Sequence, residues 1–126
     1  AYTALATMVQ LWGEDAAFEY LAKLHKNVGQ YTKSGSAPGK SAARGETLIG
    51  IGFLHDHAKQ IKNGFPLQLV VPSEGTGYEI GGLSIIKGAR NLENAKKFVD
   101  FMLSKEGQEI GGTIDMFQVP TNVTAE

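Results

Sequence analysis

Apolar segments with two different periodicities alternate along the chain, and this alternation restricts the possible folds more than any other feature. Leu5, Val9 and Trp12 recur at helical spacing, which is typical of an amphipathic helix. The stretch from Thr47 to Leu54 is apolar almost throughout, which is typical of a strand buried on both faces. A chain that alternates such segments is expected to form an α/β fold with a mixed or mostly parallel sheet flanked by helices.

Glycines mark the ends of several predicted elements. Gly13, Gly45 and Gly64 each follow a helical pattern, at the position where a left-handed residue commonly ends a helix. The predicted helices cover 2–12, 14–27, a short segment ending at 44, 55–63, a segment beginning near 91, and 106–110, where Gly111 and Gly112 are expected to break the last one. The predicted strands cover 29–33, 47–54, 66–71 and 81–87.

Composition excludes several classes of protein. The chain has 126 residues, of which 42% are hydrophobic and 20% charged, as in an ordinary globular domain. Its net charge of -1 provides no long-range field for nucleic acid. It has no cysteine, so disulfides and cysteine-ligated zinc or iron–sulfur sites are excluded. Its apolar stretches are far shorter than the roughly 20 residues that span a bilayer.

Catalytic motifs are not found. There is no G-x-S-x-G elbow, no zincin helix and no nucleophile–base pair at a recognisable spacing. An enzyme would have to use His55 and Asp56 as acid and base, and a metal-dependent hydrolase is therefore a less favoured alternative. We predict a protein that is not an enzyme and has no cofactor.

Two short segments carry candidate binding residues. Ser34, Gly35 and Ser36 precede a short helix, so their hydroxyls and backbone amides could bind an anion, although serines there could equally cap the helix. His55 and Asp56 lie where an apolar strand is predicted to meet a helix. Asp56 could cap that helix or accept hydroxyls from a ligand, His55 could donate to an oxygen, and a metal site is chemically possible.

A third candidate is a glycine-rich loop. Glu79 lies among Gly75, Gly77 and Gly81. The loop could be an ordinary mobile hinge, or it could place Glu79 in a cleft as an acceptor for hydroxyl groups. Gly75-Thr76-Gly77 is too short for a dinucleotide-binding motif.

Three segments occur in an order that resembles a known family. They are SGSAPGK at 34–40, GIGFLHDH at 50–57, and EGTGYEIGGLSIIKGAR at 74–90 followed by the helical NAKKFVDFMLSKEGQE. Together they resemble periplasmic solute-binding proteins of the ferric-iron and sugar-phosphate importer branch, which have the two-lobed type II fold. The resemblance implies that an N-terminal half is missing. It also implies that 1–76 belongs to the second lobe, 77–84 crosses the hinge and 85–126 belongs to the first lobe.

The resemblance also implies a function. The protein would be the periplasmic or lipoprotein-anchored binding component of an ABC importer, delivering a small anionic solute such as a sugar phosphate to a membrane permease. Ser34–Ser36 would bind the anion, and His55, Asp56 and Glu79 the hydroxyl groups. Ferric iron is the alternative ligand, but iron-binding members have adjacent tyrosines where this chain has Leu54 and His55. With half of the cleft absent, the chain is expected to expose apolar surface and to self-associate.

Overall fold

The computed structural model describes residues 2–126, and helices are the regular structure in this range. The six helices are α1 (Tyr2–Trp12), α2 (Glu14–His25), α3 (Ala37–Ala43), α4 (Leu54–Lys62), α5 (Leu92–Leu103) and α6 (Lys105–Thr113). Each of them overlaps a helix that the sequence pattern predicts. None of these helices is long and apolar enough to cross a membrane.

Glycines end three of the helices, as predicted. Gly13, Gly45 and Gly64 have φ angles of 81°, 74° and 88°, in the left-handed region that glycine enters without strain. The amide of Gly13 donates to the carbonyl of Val9 at 2.9 Å, which satisfies an acceptor at the end of α1. Pro38 lies in the first turn of α3, where its missing N–H costs no helical hydrogen bond.

The predicted break at Gly111 and Gly112 is wrong, because α6 continues through both residues to Thr113. Glycine costs only about 1 kcal/mol relative to alanine inside a helix, so well-anchored ends can carry a helix across it. At the start of α6 the Ser104 hydroxyl accepts a hydrogen bond from the amide of Gly107 at 3.1 Å. At its end the amide of Met116 donates to the carbonyl of Gly111 at 2.9 Å.

The predicted strands at 29–33, 47–54, 66–71 and 81–87 are not formed within residues 2–126. These segments run without regular structure, and α4 begins at Leu54, inside the second of them. Many of their apolar side chains are exposed, including Val70 at 72% and Ile86 at 81%. A strand is defined by hydrogen bonds to a neighbouring strand, and the described part of the chain supplies no such neighbour. The expected sheet is therefore not observed in this stretch.

The chain divides into two compact units, Ala1–Glu79 and Ile80–Glu126. In the first unit α1 packs on α2 and α3 packs on α4, and in the second unit α5 packs on α6. The buried side chains are few and small. Among the residues described, Ala17 and Ala43 are the buried hydrophobic ones and His57 is the buried polar one. The α3–α4 contact thus includes a buried imidazole, which makes it the most distinctive packing site of the first unit.

Candidate functional site

Three glycines bring α3 and α4 together. A Cβ atom at Gly39 would overlap the imidazole of His57, and one at Gly50 would lie 2.5 Å from the carbonyl oxygen of Pro38. A Cβ atom at Gly52 would lie 3.1 Å from His57 Nε2 and 3.2 Å from the carbonyl oxygen of Gly35. We call Gly39, Gly50, Gly52 and His57 the α3–α4 junction. It places the carbonyl oxygen of Gly35 against Gly52, which shortly precedes α4.

The Ser34–Ser36 loop keeps its hydroxyl groups free of helix capping. Ser36 occupies the N-cap position of α3, but its side chain makes no capping hydrogen bond. The Oγ atoms of Ser34 and Ser36 lie 3.3 Å apart, so the two hydroxyls point to a common region. The carbonyl of Ser34 accepts from the Thr32 hydroxyl at 2.9 Å, which fixes the loop from its N-terminal side. Of the two possibilities left open by the sequence, capping by Ser36 is the one that this geometry does not adopt.

His55 and Asp56 lie side by side in the first turn of α4. His55 Nε2 is 3.9 Å from Asp56 Oδ2, and the two side chains are 28% and 30% exposed. The Phe53 ring stacks on the His55 ring with centroids 5.5 Å apart and planes 16° apart, which restricts the imidazole. A partly exposed carboxylate beside a restrained imidazole can accept and donate hydrogen bonds to a polar ligand.

His57, one turn into α4, is the buried member of the same segment. Its side chain is 7% exposed, and its Nε2 atom has no hydrogen-bond partner within residues 2–126. Burial lowers its pKa, partly opposed by the carboxylate of Asp56 and reinforced by His55. The imidazole is therefore neutral near pH 7. From sequence, His57 stands beside His55 and Asp56 in the same polar cluster but has no specific role of its own. The signal that could have indicated one is the pair of glycines, Gly39 and Gly52, that make room for a ring.

Glu79 is held by α1. The hydroxyl of Thr3 donates to Glu79 Oε1, and the hydroxyl of Thr7 donates to the carbonyl of Thr3 at 2.7 Å. A Cβ atom at Gly77 would overlap the side chain of Thr7, so the segment passes directly against the helix. Nothing local in the sequence links Thr3 to a carboxylate 76 residues later, so its contact with Glu79 could not be predicted from sequence.

The candidate residues therefore fall in two places. Ser34, Gly35 and Ser36 lie in the loop beside the α3–α4 junction, and His55 and Asp56 lie at the start of α4. Glu79 lies against α1, and over residues 2–126 no hydrogen bond or ion pair joins it to the other five. No group of three His, Cys, Asp or Glu side chains that could hold a metal ion is found in this part of the chain.

The positions of the tyrosines lead to a prediction about ferric iron. Tyr2, Tyr20, Tyr31 and Tyr78 are not adjacent in sequence, and the hydroxyl of Tyr31 contacts His25 Nδ1 at 2.8 Å. Because this chain has no adjacent tyrosines that could act as paired tyrosinate ligands, adding ferric iron to the chain is expected to produce no visible charge-transfer band. Absorption spectroscopy during a ferric titration, with apo-transferrin as the positive control, checks this. A new visible band that saturates at one equivalent would contradict it.

Comparison with known proteins identifies the class of protein. The pattern of the bacterial extracellular solute-binding proteins matches residues 3–126, so the chain belongs to this family. The resemblance seen in the sequence is thereby confirmed. The family binds solutes outside the cytoplasm, so the predicted periplasmic location and the absence of enzymatic function are confirmed as well.

Two relatives share more than 60% of their sequence with this chain. The chain is 63% identical to the periplasmic binding protein AfuA from Actinobacillus pleuropneumoniae, in a structure with exogenous fructose-6-phosphate bound. The superposition has a TM-score of 0.91 and covers 99% of this chain and 40% of AfuA. An uncharacterised protein of Haemophilus influenzae is 65% identical over 127 residues, covering 100% of this chain and 37% of that protein.

A less similar relative is named for a different ligand. The spermidine/putrescine-binding periplasmic protein of Salmonella typhimurium is 31% identical over 101 residues, covering 79% of this chain and 28% of that protein. The chain thus spans about two fifths or less of the length of these relatives. The structural neighbour AfuA is a type II periplasmic binding protein.

Proposed function

We propose that the protein is the substrate-binding component of an ABC importer and captures a small phosphorylated sugar such as fructose 6-phosphate. The observation that carries this proposal is the 63% identity and the TM-score of 0.91 with AfuA, whose structure holds fructose-6-phosphate. A membrane permease would receive the solute from the closed protein.

The Ser34–Ser36 loop would bind the phosphate group. Its two hydroxyls lie 3.3 Å apart, and the amides of Ser34, Gly35 and Ser36 donate to no backbone carbonyl among the residues described. Hydroxyl and amide donors on a tight loop bind phosphate oxygens through charge-assisted hydrogen bonds. No carboxylate lies in the loop to repel the anion.

His55, Asp56 and Glu79 would bind the hydroxyl groups of the sugar. Carboxylates cannot face a phosphate without repulsion, but each can accept hydrogen bonds from two hydroxyls. Asp56 is partly exposed beside His55, and His55 can donate to a ring or hydroxyl oxygen. Glu79 would join this group on domain closure, with Thr3 holding its carboxylate in position.

The finer architecture is also part of the proposal. We propose that 1–76 belongs to one lobe, that 77–84 crosses the hinge and that 85–126 belongs to the other lobe. The division of the chain between Glu79 and Ile80 supports this assignment. The exposed apolar segments at 47–53, 66–71 and 81–87 would become strands of a mixed sheet when the rest of the protein supplies neighbouring strands. The same exposed surface supports self-association of the chain alone.

Calorimetric titration of the intact protein tests the proposed ligand. Fructose 6-phosphate is expected to bind at least about tenfold more tightly than fructose, because each loop donor left unpaired costs roughly 1–3 kcal/mol. Spermidine, the ligand class named for a relative, is the third arm. Equal affinity for fructose and fructose 6-phosphate would remove the phosphate role of the loop. Tighter binding of spermidine than of fructose 6-phosphate would overturn the proposed ligand class.

A further inference from the structure

His57 stands apart from the proposed ligand contacts, yet it is the most constrained polar side chain in the first unit. It is 7% exposed, and its Nε2 atom is buried without a hydrogen-bond partner among the described residues. Two glycines from separate segments, Gly39 on α3 and Gly52 before α4, approach its ring so closely that neither has room for a Cβ atom without displacement. Two separate segments are thus packed on one imidazole.

The carbonyl of Gly35 extends this packing to the proposed phosphate loop. It lies 3.2 Å from the position of a Cβ atom at Gly52, while His57 Nε2 lies 3.1 Å from the same point. The loop therefore borders Gly52 on the side that faces the ring. A shift of the ring would displace Gly52 or α3, because both pack against it. The loop would move as well, since it packs on Gly52 and leads directly into α3.

We propose that His57 is a positioning residue that holds the Ser34–Ser36 loop against the first turn of α4 through its buried imidazole. His57 does not contact the ligand in this arrangement. It fixes the separation between the loop that binds phosphate and the His55–Asp56 pair that binds hydroxyl groups. The assignment deepens the proposed function and rests on it for the identity of the bound groups.

Amide hydrogen exchange in the intact, ligand-free protein tests the positioning role directly. Exchange at Ala37 and Lys40, whose amides both donate to carbonyls of the loop at 3.3 Å, is expected to be roughly tenfold faster in His57→Ala than in wild type, because the loop loses the surface on which it packs. Lys59→Ala, an exposed change on the same helix, is the matched control and should leave both amides unchanged. Unchanged exchange at Ala37 and Lys40 in His57→Ala would overturn the proposal.

A second pair of variants shows whether the ring itself is responsible. His57→Phe keeps a planar ring of similar size and is expected to keep exchange at Ala37 within about threefold of wild type. Gly39→Ala should disturb the loop because its Cβ atom overlaps the ring, and His57→Ala in the same chain should relieve that overlap. Exchange in the double variant equal to the product of the two single effects would show that Gly39 and His57 act independently, contrary to the proposal.

The charge of the imidazole provides a readout that packing alone would not change. The charged groups that act on it are Asp56, which favours protonation, and His55, which opposes it. Lys40 beside Gly39 is exposed, and the 50–52 segment has no titratable side chain. Because the folded pKa lies below the ordinary value near 6.5, the ordering is complete above that value and is lost as pH falls through the folded pKa.

The corresponding measurement follows the same two amides with pH. Protection of Ala37 and Lys40, corrected for intrinsic exchange, is expected to be constant above about pH 6.5 and to fall below it in wild type. It should not fall in His57→Phe, which cannot be protonated. A pH response of equal size in wild type and His57→Phe would assign it to another group and contradict the proposal.

Binding distinguishes failure of this inference from failure of the proposed function. His57→Ala is expected to weaken fructose 6-phosphate binding roughly tenfold, with His57→Phe restoring most of the affinity. Wild type that does not bind fructose 6-phosphate would reject the proposed ligand, while the exchange data would still decide the role of His57. Normal binding in His57→Ala, in a wild type that does bind, would reject His57 as a positioning residue.

Discussion

Replacing Gly50 by alanine is expected to lower the free energy of unfolding by about 3 kcal/mol, at the upper end of the range for overpacking. The added Cβ atom would lie 2.5 Å from the carbonyl oxygen of Pro38 and 2.8 Å from its carbonyl carbon. Both are backbone atoms at the start of α3, so they cannot rotate away as a side chain would. Relief requires α3 to separate from the 50–52 segment, which would also open the α3–α4 junction.

Chemical denaturation of the intact protein, with wild type as reference, measures this effect. Gly29→Ala is the matched control, because a Cβ atom at Gly29 meets no atom within 4 Å. The control should change the free energy of unfolding by no more than about 0.5 kcal/mol. A Gly50→Ala protein as stable as the control would show that the close approach to Pro38 is not maintained in solution.

The helices could be predicted from sequence because the information that specifies them is local. The apolar spacing of α1 and the acidic residues that open α2 lie within the elements themselves. Gly13, Gly45 and Gly64 end helices through their own backbone freedom, which requires no distant partner. The error at Gly111 has the same origin. Its weak local preference against helix was overridden by anchoring at Ser104 and Met116.

The strands could not be predicted from local sequence in the same way. An apolar run such as 66–71 indicates only that the segment prefers to be buried, whereas a strand exists when a neighbour accepts and donates its hydrogen bonds. Within residues 2–126 these segments have no neighbour, and Val70 and Ile86 are correspondingly exposed. The chain spans 40% of AfuA, and in our proposal the remainder of a protein of that length would supply the neighbouring strands.

The candidate site shows the same division between local and long-range information. Hydroxyls at Ser34 and Ser36 and the His55–Asp56 pair could be selected as binding groups from residue chemistry alone. The approach of the Gly35 carbonyl to Gly52 could not, because it depends on packing between separate segments. Thr3 was overlooked for that reason, and His57 was given no specific role. Each acts on a residue that lies in another element.

Replacing Asp56 by alanine is expected to weaken fructose 6-phosphate binding by about 2 kcal/mol or more, roughly thirtyfold, the scale of losing charge-assisted hydrogen bonds to a ligand. Asp56 is 30% exposed beside His55 at the start of α4, so its carboxylate can reach hydroxyl groups while its helix stays packed. The protein should therefore remain folded. Removing an acidic residue from the first turn costs a helix only about 0.3–1 kcal/mol through its dipole.

Titration calorimetry and denaturation of the same Asp56→Ala preparation separate these two effects, with Asp100→Ala on α5 as a carboxylate removed elsewhere. Asp56→Asn keeps an acceptor oxygen but removes the charge. An affinity between those of wild type and Asp56→Ala would therefore show that both the hydrogen bond and the charge contribute. The carboxylate would repel a phosphate, so Asp56 is assigned to hydroxyl groups, which fructose also has. Loss of the carboxylate should therefore weaken the binding of fructose by a similar factor. Unchanged affinity in Asp56→Ala would remove Asp56 from the site. A loss confined to the phosphorylated sugar would contradict the assignment of Asp56 to hydroxyl groups that both sugars share.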